Sequence, residues 1–360
     1  MVIEIPRECR LVFCVGVGGV GKTTFSAALA LREAIGGRSV LVLTADPARR
    51  LADALGVDQL VDVPSDVPLP DGACGGELHA AMLETKASAD EIIRRAANDV
   101  ERAQRVLDNR IYRAFSTTLA RSHAYAAMER MYETTHDDRY DLVVVDTPPA
   151  QSSIEILDAP ARLVSFLDQR VVRWFLRASD ESSRLAGGTI AQRLLKKVAG
   201  DSLVAALTEF LTEMAFLREG FAERASDLDQ LMRSPKTRFV LVSSAEPVGI
   251  DAARSVAAEV DERGFRLGHV VFNRAFIPGV DASSVRSDGY PPSLARLAPK
   301  LRQMRVWLAA EHARKTSSMT ALRAEIGVPT WALPEVNRPL GSTSALAAWI
   351  AEVRAVEPAG

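Results

Sequence analysis

Residues 16–23 read Gly-Val-Gly-Gly-Val-Gly-Lys-Thr, and they stand between an apolar, β-rich run, Leu11–Val15, and a helical pattern that begins at Lys22. No other feature constrains the fold as much. Glycines between a buried strand and a helix let successive backbone N–H groups converge on an anion, and the helix adds the positive end of its dipole. A lysine and a hydroxyl in the last two places suit phosphate oxygens and a divalent cation; a plain glycine turn, the bland alternative, needs neither. The eight residues match GxxxxGK[ST] in the strand–loop–helix context that motif requires.

The following helix, from about Lys22 to Ile35, carries Phe25 and Leu29 beside Ala28, Leu31 and Ile35, and Gly36-Gly37 stops it. Four further runs, Val40–Leu43, Leu142–Val145, Phe239–Val242 and Val270–Phe272, have the unbroken apolar character of strands buried on both faces of a parallel sheet. Strand, helix, strand with short turns is a βαβ unit with a right-handed crossover. About a hundred residues separate the second run from the third, and most carry helical spacing, so a helical insertion is expected.

Ile111, Phe115 and Leu119, then Tyr125, Met128 and Tyr132, recur at helical spacing, as do Leu163, Phe166, Leu167, Val171 and Trp174. Leu207, Phe210, Met214, Leu217 and Phe221 step by three and four along one long helix. Ordinary helix packing is the first reading of these stripes and a client or partner groove the second. Residues 64–76 read as a Pro/Gly loop; the tail adds helices over Leu294–Lys315 and Ser344–Val353, with a short apolar piece at Val328–Leu333. The fold class expected is α/β: a phosphate-loop NTPase, with a doubly wound, mostly parallel sheet and an inserted α-helical subdomain. A single domain over 1–360 would then have its core at approximately 8–63, 138–160 and 236–360, and its helical subdomain at approximately 77–137 and 161–235.

Composition narrows the partners. With 360 residues, 48% hydrophobic and 25% charged, the chain can bury a large core, and a formal net charge of −2 without any basic block argues against nucleic acid. Cys9, Cys14 and Cys74 form no CxxC pair, so neither a disulfide framework nor a structural zinc is expected. The first ten residues lack a signal-peptide pattern, and no run nears the roughly 18 apolar residues of a membrane span. A cytoplasmic protein with no direct membrane insertion is the expectation.

Two carboxylates fall at strand ends, where ligands of open α/β sheets collect. Asp46 closes the second run in Thr44-Ala45-Asp46-Pro47-Ala48, and Asp146 closes the third in Val145-Asp146-Thr147-Pro148-Pro149. A carboxylate after four apolar residues is costly to bury alone, so a cation or a positioned water explains each. For Asp46 a helix N-cap ahead of Pro47 is the alternative.

Together, Gly18-Gly19-Val20-Gly21-Lys22-Thr23-Thr24, Asp46-Pro47-Ala48 and Asp146-Thr147-Pro148-Pro149 resemble the ArsA-like branch of deviant Walker A ATPases. That branch contains the arsenite-pump ATPase and the targeting ATPase for tail-anchored proteins. Leu157-Asp158-Ala159-Pro160-Ala161-Arg162-Leu163 and Phe272-Asn273-Arg274 extend the likeness, especially to actinobacterial-type members. The resemblance implies ATP and Mg²⁺ as cofactors, with Gly18, Gly19, Val20, Gly21, Lys22, Thr23 and Thr24 on the phosphates. It implies Asp46 beside the attacking water, Asp146 holding the metal through water, and Thr23 and Asp46 near that metal. Asn273 corresponds to the residue that recognises adenine, and Leu333-Pro334-Glu335-Val336 resembles the loop over the base, with Pro334 in it. Lys22 and Asp46 carry the catalysis in this scheme.

The resemblance also implies a dimer whose closing is coupled to hydrolysis, with the helical subdomain as the output surface. Family members usually carry lysine where this chain has Val17, a cation that commonly acts across the dimer. Arg49 and Arg50, after Asp46, are candidates to replace it, and a surface pair is the alternative. A dimer with a paralogue that carries the lysine is therefore expected, beside a self-sufficient homodimer. A protein-targeting or chaperone-like ATPase is the leading function, and the energising subunit of an anion or metalloid pump is the alternative. A partitioning ATPase and a small-molecule ligase stand behind these.

Overall fold

A computed structural model describes residues 3–46, 48–73, 75–83, 90, 93–94, 99–109, 112, 123–148, 158, 206, 209–210, 222–276, 297–337 and 339–357. The chain forms two compact units: residues 1–82, 137–153 and 232–360 make the first, and residues 83–136 and 154–231 the second.

The first unit is built on one nine-stranded sheet. Its strands are β1 (Leu11–Val15), β2 (Ser39–Thr44), β3 (Ser65–Asp66), β4 (Glu77–Met82), β5 (Leu142–Asp146), β6 (Thr237–Ser244), β7 (Leu267–Phe276), β8 (Thr330–Pro334) and β9 (Arg354–Ala355). They lie in the order β3-β4-β2-β5-β1-β6-β7-β8-β9, parallel except for the short edge strands β3 and β9. Chain order reverses about β1, so the loop after β1 opens at the switch point where open α/β sheets bind ligands. Every residue of β1 and β5 is buried, as their uninterrupted apolar runs require.

Helix α1 (Lys22–Ile35) follows β1 and spans the residues expected of it. Around the sheet lie α2 (Arg50–Leu55), α5 (Pro247–Glu262), α6 (Ala298–Ile326) and α7 (Thr343–Ala351). Phe13 of β1 stacks on Phe239 of β6 at 4.9 Å between ring centroids, and Phe239 stacks on Phe265 at 4.8 Å. On the other face Phe25, Leu29 and Val12 share one cluster with Leu346 and Trp349 of α7.

Three sequence expectations are corrected. Glu77–Met82, placed at the start of the helical subdomain, is β4, paired in parallel with β2 from Ser39↔Glu77 to Thr44↔Met82; Ala80, Ala81 and an exposed Glu77 give the sequence little β signature. The stretch at 64–76 contains the two-residue strand β3. Helix α6 starts later and runs further than Leu294–Lys315, to Ile326, because no breaker intervenes before Gly327, whose φ of 77° caps it.

The second unit contains α3 (Val100–Asp108) and α4 (His123–Thr135). Asp99 caps α3, its side chain accepting from the Glu101 N–H at 2.9 Å. Glu129 of α4, almost fully buried, pairs with Arg224 at 3.0 Å. The stripes at 163–174 and 207–221, apart from the buried Phe210, lie outside the described residues, as do Ile111, Phe115 and Leu119.

Candidate functional site

The loop between β1 and α1 is held by close packing that excludes side chains. A Cβ on Gly16, at φ +148°, would stand 2.1 Å from the Val242 carbonyl oxygen of β6. One on Gly21, which caps α1 at φ +88°, would stand 2.2 Å from the side-chain nitrogen of Asn273. Within the loop the ammonium of Lys22 donates to the Val17 carbonyl at 2.9 Å. Lys22 is buried, and that burial lowers its pKa against the pull of nearby Asp146.

Asp146 ends β5 directly beside Thr44 at the end of β2. The Thr44 hydroxyl donates to Asp146 Oδ2 at 2.9 Å, and Ser26 of α1 approaches Oδ1 at 3.4 Å. Burial pushes the Asp146 carboxyl upward; hydrogen bonds from the Thr23 and Thr44 hydroxyls and the charge of Lys22 oppose the rise. The next residue, Thr147, donates to the Cys14 carbonyl at 2.7 Å and so fixes the turn out of β5 against β1.

Asp46 lies in the turn after β2. Its N–H donates to Thr44 Oγ1 at 3.2 Å, its Oδ1 accepts from the Ala48 N–H at 2.9 Å, and its Oδ2 pairs with Arg50 Nη1 at 3.0 Å. The cap position of α2 belongs to Arg49 rather than Asp46, so the N-cap alternative for Asp46 is set aside. Arg49 turns its guanidinium onto the Asp58 carbonyl. Arg50 keeps its own beside Asp46.

These groups frame one cavity of about 620 Å³. It is lined by Lys22, Thr23, Asp46, Arg50 and Thr147, by Gly18, Gly19, Gly21 and Thr24, and by Asn273, Pro334, Val336 and Leu340. Val20 contributes its carbonyl, which accepts from Asn273 Nδ2 at 2.9 Å. Val17 lies instead on a neighbouring cavity of about 430 Å³, together with Lys315 of α6 and Glu246, themselves paired at 2.8 Å.

The donor set fits a hard cation and an anionic ligand. It is oxygen-rich and thiol-free: Thr23, Asp46 and Asp146 supply hydroxyl and carboxylate oxygen, while Cys9 and Cys14 are buried with their thiols pushed up to about 11 and about 12. Among the described residues no group of three His, Cys, Asp or Glu gathers as a metal cluster, and no helix is long and apolar enough to cross a membrane.

Sequence reasoning overlooked Thr44, Ser26, Arg274 and Lys315. Thr44 carried a signal, a hydroxyl ending an apolar strand two residues before Asp46. Ser26 carried another, one helical turn after Lys22. Arg274, at φ 53° and donating its N–H to Asn273 Oδ1 at 2.8 Å, stood in Phe272-Asn273-Arg274 without a role, and Lys315, brought in from a distant helix, had no signal.

Comparison with known proteins agrees with the geometry. Residues 9–287 match the family model described as anion-transporting ATPase. The chain is 27% identical to an uncharacterized protein of Streptomyces coelicolor over 76% of this chain and 65% of that one. It is 23% identical to the ATPase ASNA1 homolog of Cryptosporidium parvum, over 79% of this chain and 69% of the relative, and 25% identical to ATPase get3 of Aspergillus terreus, over 76% and 75%. The chain thus spans about two thirds of the length of the first of these relatives. With a family match across most of its length and a phosphate loop at the switch point of a parallel sheet, the chain belongs to the ArsA family of ATPases.

Proposed function

We propose that this chain binds Mg²⁺–ATP in the 620 Å³ cavity and hydrolyses it. One observation supports the reading: Lys22, Thr23 and Asp46 line the cavity, and the buried Asp146 meets the Thr23 hydroxyl and the charge of Lys22. Backbone N–H groups of Gly18 to Thr24 cradle the phosphates, and Lys22 exchanges the Val17 carbonyl for the β and γ phosphates. The Thr23 hydroxyl and, through water, Asp146 would hold Mg²⁺, which supplies charge neutralisation on the phosphate oxygens. Asp46 accepts a hydrogen bond from the attacking water and aligns it. The water oxygen bonds to the γ-phosphorus as the bond to the β,γ-bridging oxygen breaks, giving ADP and phosphate. Asn273 and Pro334 receive the base. Lys22→Ala should weaken ATP binding, whereas Asp46→Asn should retain binding and lower turnover by orders of magnitude. Unchanged turnover in Asp46→Asn would overturn the assignment.

The output we propose is protein targeting or chaperone-like work, with dimer closing coupled to hydrolysis and the second unit carrying the client surface. The resemblance to the branch that contains the targeting ATPase for tail-anchored proteins supports it, and the relatives named as ATPase get3 and ATPase ASNA1 homolog support the ATPase behind it. The missing cation at Val17 favours a mixed dimer with a paralogue bearing lysine there. Val17→Lys should raise the turnover of the isolated chain under that arrangement and leave it flat if Arg50 already serves. The family's description as anion-transporting supports a second reading, an energising pump subunit. Stimulation of turnover by an oxyanion rather than by a protein client would favour it.

A further inference from the structure

Thr44 is the one hydroxyl in the otherwise apolar stretch Val40–Thr44, it is 2% exposed, and it hydrogen-bonds both Asp46, which lines the cavity, and Asp146 of the adjacent strand. Its hydrogen-bond directions are fixed by what its neighbours can do. The Asp46 N–H can only donate, so at 3.2 Å the Thr44 oxygen accepts from it. The single Thr44 proton then goes to Asp146 Oδ2 at 2.9 Å. One side chain thereby fastens the turn that carries Asp46 to the carboxylate that ends the adjacent strand. Ser26 does not duplicate this, because its single proton serves the Lys22 carbonyl, 2.9 Å from its oxygen, while Asp146 Oδ1 lies further from that oxygen, at 3.4 Å. A hydroxyl buried this far costs stability unless both its roles are filled, and here both partners belong to the same site.

From this geometry we infer that Thr44 is a positioning residue for phosphoryl transfer, setting the Asp46 turn and the Asp146 carboxylate in register with each other. The inference rests on the Mg²⁺–ATP reading above. It predicts a defect in turnover and in the Mg²⁺ contribution to affinity, with metal-free nucleotide binding retained, since the phosphate cradle and the base end do not involve Thr44.

The test compares Thr44→Val, Thr44→Ala and Thr44→Ser with the wild-type chain. Affinity for a fluorescent ATP analogue is measured with Mg²⁺ and with EDTA, together with kcat and KM for Mg²⁺–ATP and the melting midpoint. Thr44→Val and Thr44→Ala should lower kcat by roughly 10–100-fold with KM within a few-fold, as expected when an outer partner of a metal ligand is removed. Their gain in affinity from Mg²⁺ should shrink while affinity in EDTA holds, and Thr44→Ser should restore kcat to within a few-fold. Wild-type kcat and Mg²⁺ gain in either hydroxyl-free variant would overturn the inference. So would a serine variant as impaired as the others, which would assign the effect to packing. Absence of Mg²⁺-dependent ATP binding in the wild-type chain would instead remove the nucleotide reading, and the inference with it.

Discussion

The side-chain amide of Asn273 donates to the Val20 carbonyl at 2.9 Å, tying the end of β7 to the middle of the phosphate loop. The same side chain accepts from the Arg274 N–H at 2.8 Å, which holds Arg274 in the left-handed region at φ 53°. Asn273 therefore links β7 to the loop between β1 and α1.

Gly21 is where that link leaves no room. In Gly21→Ala the left-handed backbone costs about 1–2 kcal/mol, and the new methyl would stand 2.2 Å from Asn273 Nδ2. Gly19→Ala, at φ +80° with nothing within 4 Å of its Cβ, carries the backbone strain alone. Nucleotide titration should therefore show a larger loss for Gly21→Ala than for Gly19→Ala. Adding Asn273→Ser to Gly21→Ala should recover stability by relieving the clash. Equal losses in the two glycine variants would deny the contact any role.

The two arginines after Asp46 should behave differently. Arg50 pairs with Asp46 Oδ2 at 3.0 Å and lines the cavity; Arg49 bonds the Asp58 carbonyl and does not line it. Arg50 is largely exposed, so Arg50→Ala should leave the melting midpoint nearly unchanged. Turnover should fall in Arg50→Ala, because the charge beside Asp46 is gone, and hold in Arg49→Ala. Steady-state assays of the two variants, run side by side, decide it; a loss confined to Arg49→Ala would reverse the assignment.

The sheet was legible where strands are uninterrupted and apolar. Leu11–Val15 and Leu142–Val145 announce themselves because both faces are covered, and Asp146 closes the second of them. Glu77–Met82 did not, since a strand next to a two-residue edge can carry alanine, histidine and glutamate. The glycine loop could be read because its spacing is local: Gly18 to Thr24 are contiguous in the chain. Thr44, Ser26 and Lys315 escaped because their roles depend on a strand neighbour, a helical turn and a distant helix meeting in space. Such meetings are written in strand order, β2-β5-β1, which no local pattern encodes.

Thiol chemistry gives a further expectation. Burial raises the Cys9 and Cys14 thiols to about 11 and about 12, so thiolate is scarce at neutral pH in the folded protein. Iodoacetamide labelling read by peptide mass spectrometry should leave both unmodified under native conditions and label both in denaturant. Rapid native labelling of Cys14 would show that β1 opens readily, contrary to its complete burial.

Stability should also depend on one buried imidazole. Trp331 donates its indole N–H to His269 Nδ1 at 3.1 Å, which requires Nδ1 to be unprotonated. The ring proton then lies on Nε2 and is donated to the Glu4 carbonyl at 2.9 Å, tying the N-terminal segment to β7 and β8. Burial lowers the His269 pKa below the ordinary 6.5, with Arg32 and Arg238 acting in the same direction, and the Glu4 carbonyl and carboxylate opposing it. The unfolded chain therefore takes up this proton at a higher pH than the folded one. The contribution of the neutral ring is complete above about pH 6.5 and is lost as pH falls from there through the lower folded value. His269→Gln keeps an acceptor for Trp331 and a donor for Glu4 but does not titrate. Urea midpoints measured at about pH 7.5 and about pH 5.5 should fall more steeply in the wild-type chain than in His269→Gln, the two converging at the acid end. Parallel curves would mean that the other histidines and carboxylates carry the whole acid response.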